Sequence, residues 1–247
     1  KESSAASDVY KRQVLCAVAI MISTCLTGCK MNSGKIRFGS AGIGGTYQIF
    51  GDTFANLISS KSKKYNIEVK TTAGSAANLR LLSKDYIQMA VAQMDLINDA
   101  YNRTGIFEND KKYQGYRAVA SLYTEACQIV VPADSDIQSM DDLEGKKVCI
   151  GEEESGTEQN ALQILNAYGL NERLVDTVNL NYTDAAKKLK SGDIDAFFCT
   201  AGVQTTVINE LSKQCKIRLV SLDQKGVSRL KKSYKFYTEY TIPVSYT

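Results

Sequence analysis

Two short glycine-bearing stretches contain the residue types that could hold a ligand. GSAGIGGT runs from Gly39 to Thr46, and SGTE from Ser155 to Glu158. The first has the outline of a phosphate loop, G-x-x-x-x-G-K-[ST], but Gly45 stands where the lysine belongs, so the cation that reaches the β- and γ-phosphates is missing. The dinucleotide pattern G-x-G-x-x-G fails too, because Tyr47 falls at its third glycine. What survives is general. Glycines let backbone N–H groups approach a ligand, and a helix N-terminus carries about +0.5 of partial charge. Such a site suits a carboxylate as well as a phosphate. For either loop alone, an ordinary tight turn with Thr46 or Ser155 as the helix cap is the alternative.

Other chemistries are excluded or left without partners. The 247 residues include no histidine, which removes Ser-His-Asp and Cys-His hydrolysis, imidazole zinc sites and histidine proton shuttles. Seven cysteines form no C-x-x-C pair and no metal-ligand spacing. Cys127, Cys149 and Cys199 lie in strand-like runs and are expected, with Cys215, to be free and to pack as small hydrophobes. Neither a metal nor a cofactor is expected. An enzyme built on this chain would depend on carboxylates such as Asp95, Glu152 or Glu153. The net charge of +3 includes no basic block longer than Lys63-Lys64 or Lys231-Lys232, so nucleic acid is not an expected partner.

The elements that must position the glycine loops read as alternating strands and helices. IRFGSA, NIEVKTTA and YIQMAVAQ are strand-like, and TYQIFGDTFANLISS is helical with Ile49, Phe54, Leu57 and Ile58 on one stripe. SAANLRLLSK and MDLINDAYN supply two further helices. A long β-like stretch, YRAVASLYTEACQIVVPA, comes after them, and then the rhythm restarts from KKVCIG to KIRLVSL. This is an α/β pattern. The halves resemble one another: Ile36–Gly39 leads to Gly45-Thr46 and a helix, as Val148–Gly151 leads to Gly156-Thr157 and a helix. Ser83-Lys-Asp85 before one strand parallels Ser191-Gly-Asp193 before another. Two related lobes with facing strand ends would form one cleft.

The N-terminus reads as an address label. The apolar run from Val14 to Thr27 comes after Lys11-Arg12 and is too short to span a bilayer as a helix. It ends in Leu26-Thr27-Gly28-Cys29, which resembles a bacterial lipobox. That resemblance implies a signal peptide over 1–28, a lipid (diacylglyceryl and an N-acyl chain such as palmitate) on Cys29, and a tether over 29–34. The mature protein is then expected outside the cytoplasmic membrane, held to it by lipid.

Five motifs in one order support a more specific resemblance: IRFGSAGIGGTYQIFG, TTAGSAANLRLLSK, MAVAQMDLINDAYNRTGIF, IQSMDDLEGKKVCIGEEESGTEQNA and LKSGDIDAFFCTAG. Together they resemble the TAXI-type substrate-binding proteins of TRAP transporters over residues 35 to 247. The resemblance implies a two-lobed periplasmic binding protein fold of α/β class, each lobe a mixed, mainly parallel sheet flanked by helices, with β hinge strands between. It implies lobe 1 over 35–125, lobe 2 over 126–236 and a return strand over 237–247. It also implies a monomer without catalytic activity that delivers a small organic anion (glutamate, glutamine, a dicarboxylate or a 2-oxo acid) to a TRAP permease. Carried over by position, the ligand-binding residues are Gly44, Gly45, Thr46 and Tyr47, then Gly74, Ser75 and Asn78, then Gln93, and Tyr123 on a hinge strand. From the second lobe come Ser155, Gly156, Thr157 and Glu158, then Thr200, Ala201 and Gly202. Glu158 has a second reading as an anionic first-turn residue of its helix, and Arg80 is read as a helix-surface ion pair before an anion clamp. Relatives continue past YTIPVSYT, so a truncated chain is expected. A ligand sensor or surface-interaction lipoprotein is the alternative role.

Overall fold

The computed structural model describes residues 34–203 and 205–243, and the apolar run and Cys29 of the lipobox lie outside them. The chain divides at Lys35/Ile36, and the unit from Ile36 onward holds both sheets and the helices that cover them. Its first part alternates as the sequence predicts: β1 (Lys35–Gly39), α1 (Thr46–Lys61), β2 (Asn66–Lys70), α2 (Ser75–Ser83), β3 (Met89–Ala90) and α3 (Met94–Asn102). The strands form a sheet in the order β2-β1-β3, with Phe38 of β1 opposite Met89 of the parallel β3.

The second part contains β4 (Ala126–Pro132), β5 (Lys147–Cys149), α4 (Gly156–Ala167), β6 (Asp176–Val178) and α5 (Tyr182–Ser191). It continues with β7 (Ala196–Ala201), α6 (Thr206–Ser212), β8 (Ile217–Leu219) and α7 (Gln224–Ser233). Its sheet runs β6-β5-β7-β4-β8. β5 pairs in parallel with β6 and β7, while β4 runs antiparallel to both β7 and β8. The sheet is therefore mixed.

β7 shows why this sheet is covered on both sides. All six of its residues are buried, and side chains alternate between faces. Phe197 packs with Val130, Leu189 of α5 and Leu211 of α6, while Phe198 packs with Ile129, Val148 and Ile164 of α4. A strand buried on both faces reads as a continuous apolar run, as AFFCTA does.

Four expectations need correction. In α1 the stripe is displaced: Ile49 and Leu57 are about half exposed (48% and 53%), and the packed face is Tyr47, Phe50, Phe54 and Ile58. Phe38 selects that face, because its ring lies 6.2 Å from Phe50 and 5.8 Å from Phe54, and Gly51 leaves room for it. The long β-like stretch yields a strand only from Ala126, where pairing with Ala201 begins; Tyr123 therefore lies outside it. Alternation shows that a segment could pair, and only a neighbour makes it do so. YIQMAVAQ is a strand only at Met89–Ala90, and residues 237–243 form no strand.

Phe198 is 1% exposed at the centre of the second sheet. Phe198→Ala is expected to destabilise the protein by about 3–5 kcal/mol, read as a lower denaturant midpoint with an unchanged slope.

Candidate ligand-binding cleft

Three helices begin around one small space. α1 starts after Gly45, α2 after Gly74 and α4 after Ser155, and all three residues line it. Each helix leaves first-turn N–H groups that need acceptors. In α2 the amides of Ala76 and Ala77 both donate to the Glu154 carbonyl, at 3.1 and 3.2 Å. Glu154 precedes α4 and holds a left-handed backbone conformation (φ 63°). One helix N-terminus is thus closed by backbone from the other half of the unit. In α4 the Ser155 hydroxyl accepts from the Glu158 amide at 3.0 Å. The amides of Thr46, Tyr47 and Gln48 in α1, and of Gly156 and Thr157 in α4, have no acceptor among the described residues.

The space holds about 40 Å³, and it is walled by Gly45, Thr46, Tyr47, Gly74, Ser75 and Gln93 from one side and Ser155, Gly156, Thr157, Thr200 and Ala201 from the other. These residues of the sequence-predicted set are brought together. The rest are not. Gly44 and Gly202 lie outside the wall, although a Cβ on Gly202 would come within 3.9 Å of the Thr46 hydroxyl. Asn78 is fully buried, and its amide is committed to the first sheet: Nδ2 donates to the carbonyls of Ser40 (2.7 Å) and Val91 (2.9 Å), and Oδ1 accepts from Thr72 (2.8 Å). It ties strand ends together, and both its amide protons are spent there. Glu158 is committed as well, accepting from the Glu154 amide and from Asn179 Nδ2, each at 2.8 Å. Both belong to the scaffold because their polar atoms are satisfied by it.

Arg80 is also structural. It pairs with Asp110 and, at 2.9 Å, with Glu154, and it is absent from the wall. Thr46 does not cap its helix by side chain, since Gly45 holds the cap position without a side-chain bond, whereas Ser155 does cap.

The wall has four further polar residues, of which the sequence singles out only Glu152, as a candidate carboxylate. Glu125 accepts hydrogen bonds from Tyr47 (3.1 Å) and Tyr123 (3.3 Å). Glu152 and Asn181 face the space from the second half, and the Tyr182 hydroxyl donates to the Thr200 carbonyl (2.9 Å) and accepts from Thr157 (2.5 Å). Beside the wall, Asn160 accepts from Gln93 at 2.9 Å and donates to Asp95 at 3.3 Å and to Tyr237 at 2.9 Å. Among the described residues no lysine or arginine lines the space. Burial raises the carboxyl pKa of Glu125 against the Gln93, Tyr47 and Tyr123 hydrogen bonds, and burial likewise raises Asp95 and Glu152.

Cys127, Cys149, Cys199 and Cys215 are free, and the Cys127 thiol is pushed up to about 12 by burial, so it holds its proton at neutral pH and offers no thiolate. Among the described residues no group of His, Cys, Asp and Glu is placed to hold a metal, and no helix is long and apolar enough to cross a membrane. A larger space of about 1420 Å³ adjoins the first across Tyr47, Gln93, Glu125 and Thr200. Its walls are mostly apolar side chains such as Phe38, Phe50 and Phe54.

Comparison with known proteins places this architecture. The model of the NMT1-like family matches residues 38–247. The alkanesulfonate-binding protein of Xanthomonas axonopodis pv. citri bound to MOPS superposes with a TM-score of 0.51 at 18% identity, over 76% of this chain and 60% of that one. This chain thus spans less than two thirds of that relative's length. A binding protein component of a phosphonate ABC transporter from Pseudomonas aeruginosa gives 0.53 at 12% identity, over 81% and 73%. The substrate-binding protein of an amino acid ABC transporter gives 0.50 at 17% identity, over 78% and 80%. The fold is the two-lobed periplasmic binding protein fold, with mixed sheets flanked by helices. The small space is walled from both lobes.

A carboxyl that binds its proton more tightly in the folded chain stabilises the fold most below the ordinary carboxylate range, about 4.3 for Glu, and loses that contribution as pH rises through its raised value. Glu125→Gln is therefore expected to melt above the parent at pH 7.5, by about 2–4 °C for each kcal/mol recovered. The difference should narrow toward pH 4, and a constant difference across that range would contradict the assignment.

Proposed function

We propose, from the premise that this chain belongs to the NMT1-like family, that it is a solute-binding receptor that closes two lobes around a small organic anion. The observation that supports this most is the pair of helix N-termini, α1 and α4, whose first-turn amides face one space from opposite lobes and lack acceptors among the described residues. Such amides hold carboxylate, sulfonate or phosphonate oxygens equally well in kind. About 40 Å³ is room for roughly one water, so a larger solute is held between these amides only if the lobes stand further apart. Closure is then a hinge motion that ligand binding favours. The Glu154–Ala76/Ala77 bonds and the Arg80–Glu154 pair would form as the lobes meet.

The receptor does no chemistry on its ligand in this reading. The Cys127 thiol is protonated, and the sequence has no histidine to activate a hydroxyl of the wall. The collinear motifs of the TAXI type favour a TRAP permease as the recipient, whereas the structural neighbours include components of ABC transporters. The lipobox favours a site outside the cytoplasmic membrane with Cys29 lipidated, and a monomer suffices because the cleft is built from one chain.

A thermal melt against amino acids, dicarboxylates, 2-oxo acids, sulfonates and phosphonates tests the receptor. A ligand at about 100 times its Kd adds roughly 2.7 kcal/mol, an upward shift of about 5–10 °C. A cooperative melt that no member moves would contradict the reading. For the anchor, Cys29→Ser is expected to abolish labelling by a clickable palmitate analogue and to release the protein from the membrane fraction.

A further inference from the structure

The wall of the cleft offers donors and an acceptor together. The free amides of Thr46 and Tyr47 from one lobe and of Gly156 and Thr157 from the other are donors. Glu125 offers a carboxylate from just before β4, while the Glu152 carboxylate lies against the Gly42 turn that leads into α1. We propose that the ligand carries an ammonium group beside its carboxylate, and that Glu125 is the ammonium's partner; this rests on the receptor reading above.

Three observations carry the assignment. Glu125 is held in place, because the hydroxyls of Tyr47 and Tyr123 bond one oxygen each. A carboxylate accepts at about four lone-pair sites, so these two hydrogen bonds and the one from Gln93 still leave acceptor capacity for the ligand. Among the described residues no arginine or lysine lines the space, so nothing from the protein neutralises Glu125 there, and burial accordingly raises its pKa. The third is Gln93 Oε1, which is buried and takes no hydrogen bond among the described residues. An ammonium has three protons to place, and Glu125 with Gln93 Oε1 gives it two acceptors. A dianion without an amine would instead set its second charge against the Glu125 carboxylate. α-Amino acids therefore fit, and their 2-oxo counterparts do not.

The test is titration calorimetry of the full chain and of Glu125→Gln with matched pairs: glutamate and 2-oxoglutarate, alanine and pyruvate, leucine and 4-methyl-2-oxopentanoate. Succinate, an alkanesulfonate and an alkylphosphonate serve as amine-free anions. At least one amino acid is expected to bind, with its oxo partner weaker by roughly 100-fold, and Glu125→Gln should cost the amino acid a similar factor. An oxo acid or other amine-free anion that binds as tightly as any amino acid overturns the ammonium assignment and leaves the receptor standing. An amino acid held within threefold by Glu125→Gln overturns the role of Glu125. If no compound of either kind binds, the receptor reading fails with it. The comparison within pairs uses the parent protein alone, so it holds even if the variant does not fold.

Discussion

Backbone amides at the start of a helix must find acceptors, and this fold is organised around where they find them. α2 finds the Glu154 carbonyl on the opposite lobe, and Ser155 caps α4 in part. The first turn of α1 and the first two amides of α4 find nothing among the described residues. Both βα turns deliver these ends to the same place, because helices that come after strands in open α/β sheets start at the strands' carboxyl edges. Two such edges face each other here, so the unsatisfied donors converge.

The second constraint is electrostatic. A buried carboxylate without a cation is costly unless it is hydrogen-bonded or protonated. Asp95, Glu125 and Glu152 all sit in or beside the closed cleft, and burial raises each of them. The scaffold partly offsets this with Tyr47, Tyr123 and Asn160 as donors. Ionic contacts that do form between the lobes, such as Arg80–Glu154, are kept outside the cleft. A site that withholds its own cations leaves that part to the ligand.

The strand-helix alternation and the helix-opening loops are legible in the sequence because both are local: AFFCTA is a buried strand by composition, and SGTE is a helix start by its capping chemistry. The five collinear motifs point to the bilobed fold. Other features depend on distant partners. Glu125 is defined by Tyr47, 78 positions away, and Asn78 is removed from the site by carbonyls of Ser40 and Val91. The packed face of α1 departs from its periodic stripe because the ring of Phe38 decides it, and the strand expected around Tyr123 has no neighbour to pair with among the described residues. Motif spacing carries no information about either.

Small-angle X-ray scattering of the protein, with and without a saturating ligand found by thermal shift, tests lobe closure most directly. The expected result is a ligand-free form with a larger radius of gyration than the bound form, and a bound curve that matches the closed structure. Identical scattering in the two states, with ligand bound stoichiometrically, would contradict closure as the act of recognition.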